Sequence, residues 1–129
     1  MIAVDTNLIV RVLTNDDHIQ ARRAERILKS EDIYIPKTVL LETEWVLRHA
    51  YEIVKDDILA GFQKLLGLPN VSVEDPDCIN QAISWYSNNL DFADALHLAS
   101  SKRYERFATF DSAFIKKAQR FSSIEMIKP

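Results

Sequence analysis

The sequence predicts an α/β fold, a single domain over residues 1–129 with a central, mostly parallel sheet and helices on both faces. Two observations carry that expectation. Short apolar runs alternate with segments of helical periodicity along the whole chain, the pattern of strands joined by helical crossovers. The first run, Ile2-Ala3-Val4, has no polar alternation, which suits a strand buried on both faces. It breaks into Asp5-Thr6-Asn7, residues that favour turns and helix caps. A carboxylate therefore falls where a strand gives way to a helix, the edge at which open α/β sheets bind ligands.

The remaining elements follow in order. A short helix runs from about Asn7 to Thr14, and Asp16 or Asp17 caps a second that reaches about Ser30. In that second helix Ala24, Ile27 and Leu28 are apolar, while Arg22, Arg23, Arg26 and Lys29 point elsewhere. Ile33-Tyr34-Ile35 reads as a strand closed by Pro36. The strongest helical pattern spans about Lys37 to Tyr51, where Val39, Leu40, Thr43, Val46, Leu47 and Ala50 form one stripe. Leu41 and Trp45 form a second ridge on the far side, so this helix is either sandwiched or used for a partner. Asp56 and Asp57 open a helix that ends near Gly67, Val71-Ser72-Val73 is a strand, and Asp75-Pro76 starts a helix with proline in a favourable first-turn position. Cys78, Ile79, Ala82, Ile83 and Tyr86 are its buried face. A helix begins in Leu90–Ala99 and runs to about Tyr104, Phe107–Phe110 is a strand, a helix follows Asp111 to about Arg120, and Ile124–Ile127 is the closing strand.

Composition narrows the class. The 129 residues are 47% hydrophobic and 27% charged, with 16 basic against 19 acidic residues and a net charge of −3, ordinary for a globular domain. A non-specific nucleic-acid coat is usually basic, so contact with nucleic acid has to come from a local patch. Cys78 is the one cysteine, which excludes an intrachain disulfide and a zinc site built on several thiolates. No stretch approaches the ~20 apolar residues of a membrane span, and the N-terminus lacks the pattern of a signal peptide. A cytoplasmic location is the expectation.

Asp5 and Asp111 each follow a short apolar strand and precede a helix. Asp94 lies in the first turn of a helix, where its charge suits the dipole. On a helical wheel Glu42 falls at one edge of the Val39/Val46 stripe and Glu44 at the opposite edge beside Leu40 and Leu47, so geometry leaves the two tied. Carboxylates held together repel unless a cation intervenes or one takes up a proton. Magnesium and manganese favour such oxygen ligands, and can activate water and stabilise charge on a phosphate.

Asp5-Thr6-Asn7, Glu42-x-x-Trp45-Val46-Leu47, Leu90-Asp91-Phe92-Ala93-Asp94-Ala95 and Thr109-Phe110-Asp111 occur here in that order. The set resembles the PIN-domain nucleases, in particular the VapC-type ribonuclease toxins of prokaryotic toxin–antitoxin pairs, over nearly the whole chain. The resemblance implies an acidic quartet at Asp5, Glu42, Asp94 and Asp111, which favours Glu42 over Glu44. Asn7 and Thr109 match polar positions beside that quartet. It also implies the strand order 3-2-1-4-5, and metal-dependent hydrolysis of RNA with Mg2+ or Mn2+. The partners it implies are an RNA substrate and a cognate antitoxin, and the two-faced helix adds a homodimer; no membrane is involved.

Each residue also has a plainer reading. Asp5 and Asp111 are suited to be helix caps, Glu42 to be a solvated stripe-edge glutamate, and Asp91 to cap the helix that carries Asp94, with a supporting role beside the site. His97, one turn past Asp94, reads as a half-buried structural histidine, since a magnesium site prefers oxygen. His18 and His49 join no constellation, and Cys78 belongs to the core. Leu41 with Trp45, and Trp85 with Tyr86, read as core more readily than as partner surface. The basic groups Arg22, Arg23, Arg26 and Lys29, and Lys116, Lys117 and Arg120, read as solvated faces that are also candidates to meet an RNA backbone.

Competing functions are a phosphorylation-controlled receiver-like domain, a haloacid-dehalogenase-like phosphatase and a silent PIN fold that only binds. Ile33-Tyr34-Ile35 ends in Pro36 with no phosphate-accepting aspartate, and Asn7 stands where such a phosphatase needs a second aspartate. A glycine-rich phosphate loop is absent.

Overall fold

The computed structural model describes all residues from Met1 to Pro129. They form two compact units, Met1–Pro76 and Asp77–Pro129. The first contains β1 (Ile2–Ala3), α1 (Thr6–Thr14), α2 (His18–Ser30), β2 (Ile33–Ile35), α3 (Lys37–His49), α4 (Lys55–Leu66) and β3 (Val71–Val73). The second is made of α5 (Pro76–Ser87), which starts at the junction, α6 (Phe92–Ser100), β4 (Arg106–Ala108), α7 (Ser112–Phe121) and β5 (Glu125–Ile127). No helix is long and apolar enough to cross a membrane.

In the first unit β2 lies between β1 and β3, parallel to both, with Ile2 opposite Ile33 and Ile33 opposite Val71. Parallel neighbours need long crossovers, here the pairs α1–α2 and α3–α4. Ile33 and Ile35 are fully buried, as a strand paired on both sides requires. The sequence assigned that double-sided burial to the first strand instead. Ile2 is 38% exposed and only Val4 of the opening run is buried, because β1 is two residues long and pairs on the β2 side alone.

In the second unit β4 and β5 pair in parallel, with Phe107 opposite Met126. The α/β class and the orders 3-2-1 and 4-5 agree with the sequence reading. The strands nevertheless register as two sheets, and no pairing joins β1 to β4. The helix expected to reach Tyr104 ends at Ser100, where the Ser101 and Tyr104 amides turn back to carbonyls three residues earlier and tighten the chain out of α geometry. Cys78, Ile79, Ala82, Trp85 and Tyr86 are buried along α5.

α3 corrects one assignment of its faces. Leu40, Thr43, Glu44 and Leu47 are buried, while Trp45 is 56% exposed with its ring 4.8 Å from that of His49. Trp45 is thus not core: its side chain lies largely in solvent, with a ring contact to His49 one turn along the same helix. Asn70 adds a fastening that periodicity does not reveal: its amide donates to the Leu28 carbonyl at 2.6 Å and the Glu31 carbonyl at 2.8 Å, satisfying the end of α2.

Leu40→Ala should destabilise the protein by about 2–5 kcal/mol, the range for an aliphatic side chain lost from a closed core. Trp45→Ala should cost less than about 1 kcal/mol. Denaturant titration followed by circular dichroism distinguishes the two; equal losses would mean that the exposed face of α3 is covered in solution.

Candidate active site

Two of the candidate acids, Asp5 and Asp111, sit where a strand gives way to a helix, while Glu42 lies within α3 and Asp94 in the first turn of α6. After β1 the chain stays extended at Asp5, which becomes the N-cap of α1 and accepts the Leu8 amide on Oδ1 at 3.2 Å. One carboxylate oxygen completes the cap and Oδ2 is left to other partners. Thr6 is only 6% exposed, and its hydroxyl donates to Oε1 of Glu42. The start of α1 thereby holds a side chain of α3. Asn7, the next residue, is exposed and lines a hollow beside α2.

Burial distinguishes the two glutamates of α3. Glu44 is 1% exposed and receives Arg48 Nε at 2.7 Å and Nη2 at 3.2 Å, a pairing that a buried carboxylate needs. Glu42 is exposed and takes only the Thr6 hydroxyl among its side-chain bonds. Glu44 is therefore committed within its own helix, and Glu42 is the glutamate with oxygen to spare. Thr6 is a residue whose part the sequence reading missed. Its one signal was redundancy: Asp5-Thr6-Asn7 offers three cap formers for one cap.

The second unit repeats the junction. Asp111 is the N-cap of α7, with Oδ1 accepting the Phe114 amide at 3.0 Å, and its own amide donates to Thr109 Oγ1 at 3.1 Å. Asp91 caps α6 and accepts the Asp94 amide at 3.1 Å, as its plainer reading required. Asp94 stands half-buried in the first turn. Burial pushes its carboxyl above the usual carboxylate range, and the negative charges of Asp91 and Asp111 push it further. His97 and Lys117 act in the opposite sense. Lys117 donates to the Asn89 carbonyl at 3.2 Å. His97 is exposed rather than half-buried, because it lies on the side of α6 opposite the buried Leu96, Leu98 and Ala99.

Elsewhere, Arg11 donates to Asp16 at 3.1 Å, to Tyr51 at 3.1 Å and, through Nε, to Gln20 at 2.8 Å. The Tyr51 hydroxyl donates to Asp16 at 2.8 Å. That bond, helped by Thr14 and Arg11, holds the Asp16 carboxyl below its ordinary range. Asp16 is thus a structural acid, and Asp17 caps α2. His18 meets Asn15 at 3.3 Å, and Cys78 is buried with Sγ 3.4 Å from Ser100 Oγ.

The donor sets are composed of oxygen. One unit carries Asp5, Thr6 and Glu42, and the other carries Asp94 with Asp91 and Asp111 in electrostatic reach. No three Asp, Glu, His or Cys side chains form a group ready to hold a metal ion. Carboxylate oxygens are the donors a hard divalent cation prefers; burial first, and then the charges of Asp91 and Asp111, raise the proton affinity of Asp94, and a cation would offset the second of these.

Comparison with known proteins adds the following. The PIN domain family matches residues 2–120, a span that contains every acid discussed above. Among solved structures, the chain is similar to the Mycobacterium tuberculosis toxin VapC20, described as cleaving the sarcin–ricin loop. Identity to it is 23%, with 97% of this chain and 99% of that one covered and a TM-score of 0.46. No curated protein sequence matches.

A raised carboxyl pKa means that the folded state binds the proton more tightly than the unfolded one. Its effect on stability is absent well below the ordinary carboxylate range and becomes a penalty as pH rises through the folded value. In metal-free buffer Asp94→Asn should therefore raise the melting temperature at pH 7, and the advantage should shrink towards pH 3. Thermal melts across that range check it; a gain independent of pH would assign the effect to packing.

Proposed function

The chain belongs to the PIN-domain family, and from that premise we propose that it is a metal-dependent endoribonuclease, the toxin of a type II toxin–antitoxin pair. The observation that carries this reading is the extent of the match. Residues 2–120 include Asp5, Glu42, Asp94 and Asp111, so the complete acidic set falls inside the family's span. The two units then act as one nuclease domain over residues 1–129. The partners are an RNA substrate, a cognate antitoxin and a second copy of the chain, in the cytoplasm.

Asp5, Glu42, Asp94 and Asp111 are the residues that would hold Mg2+ or Mn2+. When bound, such an ion supplies an activated water and neutralises charge on the phosphate. The side chains contribute placement. Asp5 and Asp111 each spend one oxygen on a helix cap, which fixes the direction of the other. The Thr6 hydroxyl orients Glu42, and Thr109 holds the amide of Asp111. Overall, water adds across a P–O bond of the RNA backbone, its hydroxyl going to phosphorus and its proton to the leaving oxygen.

A PIN fold that only binds is the second reading, favoured by the lack of a ready three-carboxylate group. Cleavage of a structured RNA separates the two. With Mn2+ the protein should cut, and Asp5→Asn should lower the rate at least about 100-fold. Asparagine caps a helix almost as well as aspartate, so the melting temperature should hardly move. Asp5→Ala should lose activity and also about 1 kcal/mol of stability. No cutting with any divalent ion, or full cutting by Asp5→Asn, would end the nuclease reading.

A further inference from the structure

We propose that the hollow between α1 and α2 binds one nucleotide of single-stranded RNA, with the base in the hollow and its phosphate on Arg23. This rests on the nuclease reading above and deepens it. The hollow has a volume of about 310 Å³. That is far too large for a bare ion and close to the lower end of small-ligand pockets.

Its lining suits a nucleotide. Leu8, Ala24 and Ile27 supply apolar surface, against which the flat faces of a base can lie. Asn7 and Gln20 supply amides at the rim. Gln20 already accepts from Arg11 Nε at 2.8 Å, so its NH2 group is what it can turn to a ligand, a donor for a base carbonyl.

The charges favour an anion. No acidic residue lines the hollow, and two arginines do. Arg11 is answered by Asp16 at 3.1 Å. Arg23 is exposed and forms no ion pair, so its planar guanidinium can take a phosphate in two parallel hydrogen bonds. The sequence reading set Arg23 apart from Ala24 and Ile27, yet all three share this wall. Asn7 belongs both to the wall and to the first turn that Asp5 caps, which puts the hollow beside that carboxylate.

Binding measured in EDTA separates this site from catalysis. The full-length chain is titrated into fluorescein-labelled oligouridylate hexamer and followed by anisotropy at several salt concentrations. Arg23→Ala should weaken binding at least about tenfold, the lower end of what charge-assisted hydrogen bonds to a phosphate contribute. It should also lower the log–log salt slope by about 0.7, the value for one phosphate contact on a single strand. Arg22→Ala, on the same helix but outside the hollow, should change affinity less than about twofold. Equal losses from both variants would reduce α2 to a generic basic face and overturn the proposal. Hexamer binding that an excess of uridine monophosphate fails to compete away would overturn it, because a one-nucleotide hollow has to accept the monomer. Arg23-dependent binding of a glutamate-rich peptide in place of RNA would do so in favour of a protein partner. Arg23-dependent RNA binding without any cleavage in Mn2+ would keep the hollow and remove the nuclease. Cleavage with unchanged binding by Arg23→Ala would do the reverse.

Discussion

A helix begins with amide groups that have no partner inside it, and here an aspartate supplies the partner four times. Asp5, Asp17, Asp91 and Asp111 accept an amide three residues on, at the starts of α1, α2, α6 and α7. Each contact stabilises a helix by an amount on the order of 1 kcal/mol and also fixes a carboxylate in space. A cap needs one oxygen, so structural duty does not exhaust the group. At Asp5 and Asp111 the cap occupies Oδ1 and leaves the second carboxylate oxygen outside it. The cap also keeps a charged side chain pointed.

The electrostatic consequence is unequal between residues. Asp94 sits half-buried with Asp91 and Asp111 acting on it, and its charged form is disfavoured on both counts. Glu42 stands in water against a hydroxyl. Glu44 avoids the difficulty by pairing with Arg48 in the same helix. Three acids of similar sequence setting thus have three fates, decided by what each faces rather than by its side-chain type.

Much of this was legible in the sequence, and the misses share a cause. Alternating apolar runs and helical stripes gave the α/β class and β2 and β3 at their observed residues, and the sequence offered Asp5, Asp17, Asp91 and Asp111 among its candidate caps, because those signals are local. The tie between Glu42 and Glu44 was not breakable by periodicity, since one wheel gives both an edge position; the resemblance chose Glu42, and what separates the two in the structure is that Glu44 is buried and Glu42 exposed. Ile2-Ala3-Val4 looked like a doubly buried strand because apolar content does not report how many neighbours pair with it. Trp45 looked like core for the same reason. Thr6 was hidden because its partner, Glu42, lies 36 residues along the chain. What a side chain meets across such a distance leaves no periodic trace.

The pairing of β5 with β4 reaches further than its three residues indicate. The Thr109 amide is bonded to the Ile127 carbonyl at 2.9 Å, and Thr109 in turn holds the Asp111 amide. On a chain still being translated, this anchor cannot exist until Ile127 has cleared the ribosome. Asp111 is thus made sixteen residues before Ile127, whose strand steadies the backbone leading into the helix that Asp111 caps.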